Sequence, residues 1–292
     1  MPSQLKRFVK SHINRLAIAL FVYELIFQLG SAVLLLAGTG LFQNEYFAMI
    51  LCSALALLSV YLILGRPEPV PAPAGRFSPL KYLWLLLLFY GMQLLAICLT
   101  LPVERLLRGL GFSLEQAAEA AGGGRLSDPL MLFYTVLFAP LFEELLFRCY
   151  LYGSLRRFGR SFAVFSTAFL FALMHGNILQ FLAAFLIGLL LAGIRERWGL
   201  RYAILLHLSN NALAILFNNY TENAAPVYGL YLFLLFGGTA ALLLTVLRSF
   251  RPWREQLRQE QSLRSMLGCF FSSVCMLILI LCFLALAALN LN

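Results

Sequence analysis

Charged residues are scarce in this chain. Asp, Glu, Lys and Arg make up 12% of its 292 residues, whereas hydrophobic residues make up 61%. A soluble domain carries about a quarter charged residues. So few polar side chains cannot cover a globule in water, which excludes a water-soluble monomer. Most of the surface is therefore expected to face lipid.

Several common catalytic signatures are also missing. The sequence has no Cys-x-x-Cys pair, no His-Glu-x-x-His and no Gly-x-Ser-x-Gly. These absences remove the usual sequence evidence for a dithiol redox site, a zinc peptidase helix and a serine hydrolase. The six cysteines lie in or beside apolar runs and are interpreted as small hydrophobic residues. No internal repeat of the kind found in many transporters is visible.

Acidic residues are outnumbered by basic ones, 13 to 22, which gives a net charge of +9. The basic residues lie between apolar stretches, as orientation in a bilayer requires, so no nucleic-acid partner is expected. Counted over alternate loops, eighteen lie on one side of the predicted membrane and three on the other. This asymmetry predicts a cytoplasmic N-terminus and an external C-terminus.

Long apolar runs predict an all-α polytopic transmembrane helical bundle of about eight or nine spans. A bilayer core about 30 Å thick requires roughly 20 apolar residues per helix. The fifth and sixth candidates are short, and a re-entrant hairpin around Gly176 is the alternative for this pair. The nine candidates are Ile13–Ala37, Tyr46–Leu64, Leu80–Leu101, Pro129–Gly153, Ser161–His175, Ile178–Ile194, Tyr202–Phe217, Val227–Leu247 and Leu267–Leu289.

Three regions follow from these spans. The first contains the first three spans with a proline-rich linker and an amphipathic segment, the second is predicted to be the catalytic helical core, and the third holds the last spans and a basic segment. The first region is 1–128, with the linker at Arg66–Arg76 and the amphipathic segment at Val103–Ala121, which Gly122, Gly123 and Gly124 follow. The second region is 129–220. The third is 221–292, with the basic segment at Arg248–Arg264.

Ionisable side chains inside spans are costly and therefore indicate function. The fourth span contains Glu143, Glu144 and Arg148. Residues four apart share a helix face, so Glu144 is expected to pair with Arg148, which leaves Glu143 as the better general base. The alternative is a purely structural ion pair. Glu24, in the first span, is interpreted as an interfacial or helix-pairing residue.

Two further polar motifs lie in later spans. His175 ends the fifth candidate span, and His207 and Asn211 share one face of the seventh. At about 1.5 Å rise per residue, these groups and the glutamates lie within some 12 Å of one another in depth. One water-filled cavity holding all of them is therefore predicted.

Addition of water to a carbonyl is the chemistry that fits these groups. Glu143 with His175 would bind and deprotonate a water, and His207 with Asn211 would hydrogen-bond the developing oxyanion, without a covalent intermediate. Asn210 is an alternative to Asn211. No cofactor is expected, although a zinc site made by two histidines and a glutamate from separate spans is kept as a minor alternative.

The three motifs together resemble a known family. Glu143-Glu144-x-x-x-Arg148, then Phe171-x-x-x-His175, then His207-x-x-x-Asn211 is similar to the CAAX protease and bacteriocin-processing family, also called type II CAAX prenyl endopeptidases or Abi proteins. The resemblance covers roughly 129–220. It implies a glutamate-dependent intramembrane protease in which Glu143 and His175 activate water, Glu144 and Arg148 support the site, and His207 and Asn211 form the oxyanion hole.

The first hypothesis is thus an intramembrane endopeptidase in a multi-pass protein of a bacterial cytoplasmic membrane. Its partners would be the lipid bilayer and a membrane-associated peptide or protein, with prenylated or bacteriocin-type substrates suggested by the family. Two alternatives remain open: a proton-coupled carrier that uses Glu143, Glu144 and His175 as a relay, and a non-catalytic membrane scaffold or immunity protein.

Overall fold

The structure is a computed structural model that describes residues 2–70, 77–121, 129–222, 224–259 and 263–291. Within these ranges it contains helices and no strand, so the predicted all-α fold is confirmed. The helices are α1 (Ser3–Ala37), α2 (Glu45–Leu64), α3 (Pro79–Gly109), α4 (Glu115–Ala121), α5 (Pro129–Arg156), α6 (Arg160–Met174), α7 (Ile178–Trp198), α8 (Leu200–Tyr220), α9 (Ala225–Gln259), α10 (Leu263–Phe271) and α11 (Val274–Leu289).

Seven of the described helices are long and apolar enough to cross a membrane, and the bent pair α10 and α11 gives up to eight. A polytopic helical bundle is therefore confirmed. The fifth predicted span corresponds to α6, which has only 15 residues. At about 1.5 Å per residue its length is about 22 Å, which is short of a full hydrocarbon layer.

The last predicted span is broken, because α10 and α11 meet at an angle of 69°. Side chains of α1 satisfy backbone groups at this break. Lys10 Nζ donates to the carbonyl oxygen of Ser272 at 3.0 Å, and Asn14 Oδ1 accepts from the backbone N–H of Cys275 at 3.1 Å. These bonds matter because lipid offers no partner to an interrupted helix.

The chain divides into two compact units. The first comprises Met1–Val70, Leu126–Ala163 and Ser262–Leu281. Within it α1 packs along α2, and α2 contacts the first half of α5. His12 Nε2 and the Ser154 hydroxyl, 2.6 Å apart, hydrogen-bond α1 to the end of α5. This unit holds the polar residues of α5 against α1 and α2.

The second unit comprises Pro71–Arg125, Val164–Gln261 and Cys282–Asn292. Within it α3 packs on α9 and α7, and α7 packs on α8. Gly91 and Gly238 allow α3 and α9 to touch through their backbones, because a Cβ atom on Gly91 would overlap the carbonyl oxygen of Gly238. This packing fixes α3 beside the polar face of α8.

Some predicted segments have different boundaries. The third span continues through Pro102 to Gly109, so the first part of the predicted amphipathic segment belongs to α3 and its last part forms α4. The predicted basic segment continues α9 as far as Gln259. Residues 71–76 of the proline-rich linker, Gly122 to Gly124 and residues 260–262 lie outside the described part of the chain.

Candidate functional site

The helix that carries the two adjacent glutamates, α5, has two widened turns. Its backbone is π-helical at Tyr134–Phe138 and again at Leu145–Leu151, on either side of the α-helical segment Ala139–Glu144. Pro140 follows the first widened turn, and a proline lacks the N–H of a normal helical bond and clashes with the carbonyl four residues earlier. Such π-turns occur frequently at functional sites.

Glu144 and Arg148 form a buried ion pair in α5. Arg148 Nη1 lies 3.1 Å from Glu144 Oε1, and both residues are 0% exposed. The predicted contact between these two side chains is confirmed. A charge-assisted bond in an apolar interior is strong only when both partners stay in place, so this pair is expected to fix the conformation of α5 around the glutamates.

Glu143 is half-buried and lies in a cluster of polar side chains in the first unit. Its charge interacts with Arg148, Glu24 and the hydroxyls of Tyr23 and Tyr134. Both tyrosine hydroxyls hydrogen-bond with Ser53, which α2 contributes and which is 3% exposed. Three helices therefore meet around Glu143.

Glu24 was expected to be an interfacial or helix-pairing residue. It is 7% exposed and its charge interacts with Glu143 of α5, which agrees with the helix-pairing alternative. The sequence gives one local signal, since Gln28 follows Glu24 by four residues and hydrogen-bonds with its carboxyl group. An electrostatic interaction with Glu143, which is 119 positions away in the sequence, leaves no such local pattern.

In the second unit, the end of α6 fixes the orientation of His175. Because a carbonyl oxygen only accepts, Nδ1 of His175 donates to the carbonyl oxygen of Phe171, at 2.7 Å. In this tautomer of the neutral imidazole, Nε2 carries the lone pair and is the nitrogen that accepts a hydrogen bond. The predicted role of His175 beside a general base requires this tautomer.

The loop after His175 is held at both of its residues. Gly176 has a φ of +56°, a left-handed conformation that favours glycine, and its carbonyl oxygen accepts from Asn290 Nδ2 at 2.8 Å. Asn177 caps α7 by accepting from the backbone N–H of Leu179, and its own amide donates to the carbonyl oxygen of Ala117. These bonds fix the turn that follows α6, which ends at Met174.

Phe171 lies between the two imidazoles of the second unit. Its ring meets His175 edge-on at a centroid distance of 4.8 Å and His207 at 5.9 Å, and the residue is 1% exposed. Gly188 of α7 makes room for it, since a Cβ atom there would lie 3.3 Å from the Phe171 ring. Phe171 therefore packs against both histidines.

A chain of amide hydrogen bonds orients Asn211. Gln93 of α3 donates to Asn210 Oδ1 at 3.0 Å, and Asn210 Nδ2 donates to Asn211 Oδ1 at 3.2 Å. Asn210 thus uses its amide to link Gln93 with Asn211, and the amide nitrogen of Asn211 is the end suited to donate to an oxyanion. Gln93 is a contributor that the sequence analysis missed.

One family model matches part of the chain, and its description is Type II CAAX prenyl endopeptidase Rce1-like, over residues 125–213. This part of the chain is similar to a CAAX protease domain, which supports the predicted family. No curated protein and no solved structure matches the chain significantly. The matched family suggests that the chain is a protease. The family match and the several long apolar helices together support a multi-pass membrane protein.

All six predicted site residues fall inside the matched CAAX protease domain: Glu143, Glu144, Arg148, His175, His207 and Asn211. The structure places the first three together in the first unit, and it places the two histidines around Phe171 in the second unit. That the two groups act on one substrate stays a prediction. Within the described residues no three His, Cys, Asp or Glu side chains are grouped as metal ligands would be.

Proposed function

We propose that the chain is an intramembrane endopeptidase that hydrolyses a peptide bond of a membrane-associated protein or peptide with a glutamate-activated water. The observation that carries this proposal is the CAAX protease match over 125–213, which contains every predicted site residue. The tautomer of His175 and the orientation of Asn211 support it independently, because each presents the group that the chemistry requires.

In this mechanism Glu143 is the general base. It takes a proton from a water while Nε2 of His175 accepts the hydrogen bond that keeps the water oriented. The water oxygen adds to the substrate carbonyl, and His207 and Asn211 donate to the oxyanion that forms. Glu143 then returns the proton to the leaving nitrogen, and the C–N bond breaks.

Glu144 and Arg148 support the site without contacting the reacting atoms. Their fully buried pair fixes the turn of α5 on which Glu143 lies. Arg148 also interacts with the charge of Glu143. Zinc is not required in this proposal, and the substrates we favour are prenylated or bacteriocin-type peptides at a bacterial cytoplasmic membrane.

Two steps test this function. Membrane peptides from cells with and without the protein are first compared by mass spectrometry to find a cleaved sequence. A quenched fluorescent substrate with that sequence is then incubated with the purified protein in proteoliposomes. We expect cleavage that survives treatment with EDTA and 1,10-phenanthroline, because in this mechanism no metal ion activates the water. Loss of cleavage on chelation, followed by recovery with zinc, would contradict the glutamate mechanism, and absence of any cleaved peptide would contradict the protease function.

A further inference from the structure

A cavity of about 480 Å³ lies against one face of the first turns of α1, in the first unit. Small-molecule sites in proteins have volumes of about 300 to 1,000 Å³, so this cavity has the size of a binding site. Three of its described lining residues are cations and none is acidic. The proposed mechanism uses none of them. The lining residues are Arg7, Lys10, Ser11, Asn14, Arg15 and Ile18.

Two of the cations hold backbone groups at the ends of neighbouring helices in the same unit. Arg15 donates through Nε, at 3.1 Å, and through Nη2 to the carbonyl oxygen of Ile63 in the last turn of α2. Lys10 Nζ donates to the carbonyl oxygen of Ser272, directly after α10. Carbonyls at helix ends have no partner within their own helix. The cavity therefore lies where α1 meets the ends of α2 and α10.

The charges of the three cations are not balanced by this part of the protein. A carbonyl oxygen accepts a hydrogen bond but carries no net charge. Among the described residues, no carboxylate forms an ion pair with Arg7, Lys10 or Arg15. A guanidinium has five N–H donors and an ammonium has three, and the described bonds use two of Arg15 and one of Lys10. Both charge and donors therefore remain for an anion.

The face of α1 that lines the cavity continues as an exposed apolar strip. Ile18 lines the cavity, and Phe21 and Leu25 follow it at intervals of three and four residues, which keeps them on the same face. These three side chains are 46%, 36% and 41% exposed. They lie in a helix that is apolar enough to cross a membrane. A molecule with an anionic head and an apolar chain matches this order of groups, whereas a free anion would use only the cavity.

We propose that this cavity binds the phosphate headgroup of an anionic phospholipid, with Arg7, Lys10 and Arg15 around the phosphate and an acyl chain along Ile18 and Phe21. Basic pockets between transmembrane helices are known to take headgroups of this kind. The bound lipid would join α1 to the ends of α2 and α10. Because a ligand that binds only the folded state stabilises it, the lipid is expected to stabilise the protein.

A lipid titration tests the class of ligand. Purified protein in a nonionic detergent is titrated with phosphatidylglycerol, phosphatidylcholine or inorganic phosphate, and the melting temperature and the mass of bound lipid are measured. We expect phosphatidylglycerol to bind and to raise the melting temperature to a plateau. Phosphatidylcholine is expected to do much less, because its ammonium group cancels the phosphate charge. Equal effects of the two lipids would overturn the anionic headgroup, and an equal effect of inorganic phosphate would overturn the lipid.

The variants Arg7→Gln and Ser11→Glu test the place of binding. Neither side chain makes a hydrogen bond with the described residues, so the melting temperature without lipid is expected to stay at the wild-type value. Each variant makes the cavity less positive by one charge. We expect each to raise the Kd for phosphatidylglycerol about fivefold, and both together about 25-fold, as for cations at an anionic membrane surface.

Ser249→Glu is the matched control. Ser249 is exposed on α9 beside Arg248, so the variant adds the same charge next to a cation outside the cavity. We expect its affinity for phosphatidylglycerol to equal that of wild type. An equal loss of affinity in Ser249→Glu and Ser11→Glu would show a general attraction between the basic protein and the lipid, and it would overturn the site. Unchanged affinity in the double variant of Arg7 and Ser11 would overturn it as well.

Discussion

Replacing Glu143 by Gln is expected to abolish cleavage of a membrane-tethered reporter while the protein level and the melting temperature in detergent stay close to wild type. Glutamine has the shape of glutamate but cannot accept the proton of the attacking water. A positioned general base contributes about 10²- to 10⁴-fold to a rate. The measurement is the initial rate of cleavage by wild-type and variant protein in the same proteoliposomes.

Glu104→Gln provides the matched control for this loss. Glu104 lies on α3 in an exposed ion pair with Arg108. Its replacement by Gln removes the same charge as Glu143→Gln, but Glu104 is not part of the proposed site. We expect its cleavage rate to equal that of wild type. A Glu143→Gln variant that cleaves normally would show that another group activates the water.

The second large effect concerns stability, and it comes from the buried pair of Glu144 and Arg148. Arg148→Met is expected to lower the free energy of unfolding by about 3 to 5 kcal/mol, because it leaves a carboxylate buried without its guanidinium. Replacing both residues, as Glu144→Leu with Arg148→Met, is expected to recover most of this loss, because no unpaired charge remains. Denaturation in mixed micelles, followed by tryptophan fluorescence, measures both values.

Arg108→Met is the control, since Arg108 and Glu104 have the same four-residue spacing and a similar distance of 3.0 Å but are 48% and 30% exposed. An exposed pair of this kind is worth at most about 1 kcal/mol. If Arg148→Met were no more destabilising than Arg108→Met, Glu144 would not be buried as a charged group. The stable double variant is still expected to cleave slowly, because Arg148 also lies beside Glu143.

Local spacing predicted much of this molecule correctly. Apolar run length predicted the membrane helices, because a span must be long enough to cross the hydrocarbon core. The interval of four residues gave the contact between Glu144 and Arg148, because it depends only on helix geometry. The motifs within 129–220 gave the family, and the family model confirms it over residues 125–213.

Contacts between distant parts of the chain were not predicted. The electrostatic interaction of Glu24 with Glu143 and the hydrogen bond of Gln93 to Asn210 join helices far apart in sequence, and neither follows from a helical repeat. The break between α10 and α11 was missed for a related reason. Its backbone groups are satisfied by Lys10 and Asn14 of α1, so the apolar run alone predicted one continuous helix.

The central claim is that Glu143 and His175 act on the same water, and a double-variant comparison tests it most directly. Glu143→Asp and His175→Asn each displace one contact to that water, and each is expected to lower kcat about 10²-fold. Residues that act as a unit give strongly non-additive losses. If both residues act on one water, the double variant is also slowed about 10²-fold. A loss of about 10⁴-fold, which is the product of two independent effects, would contradict a shared water.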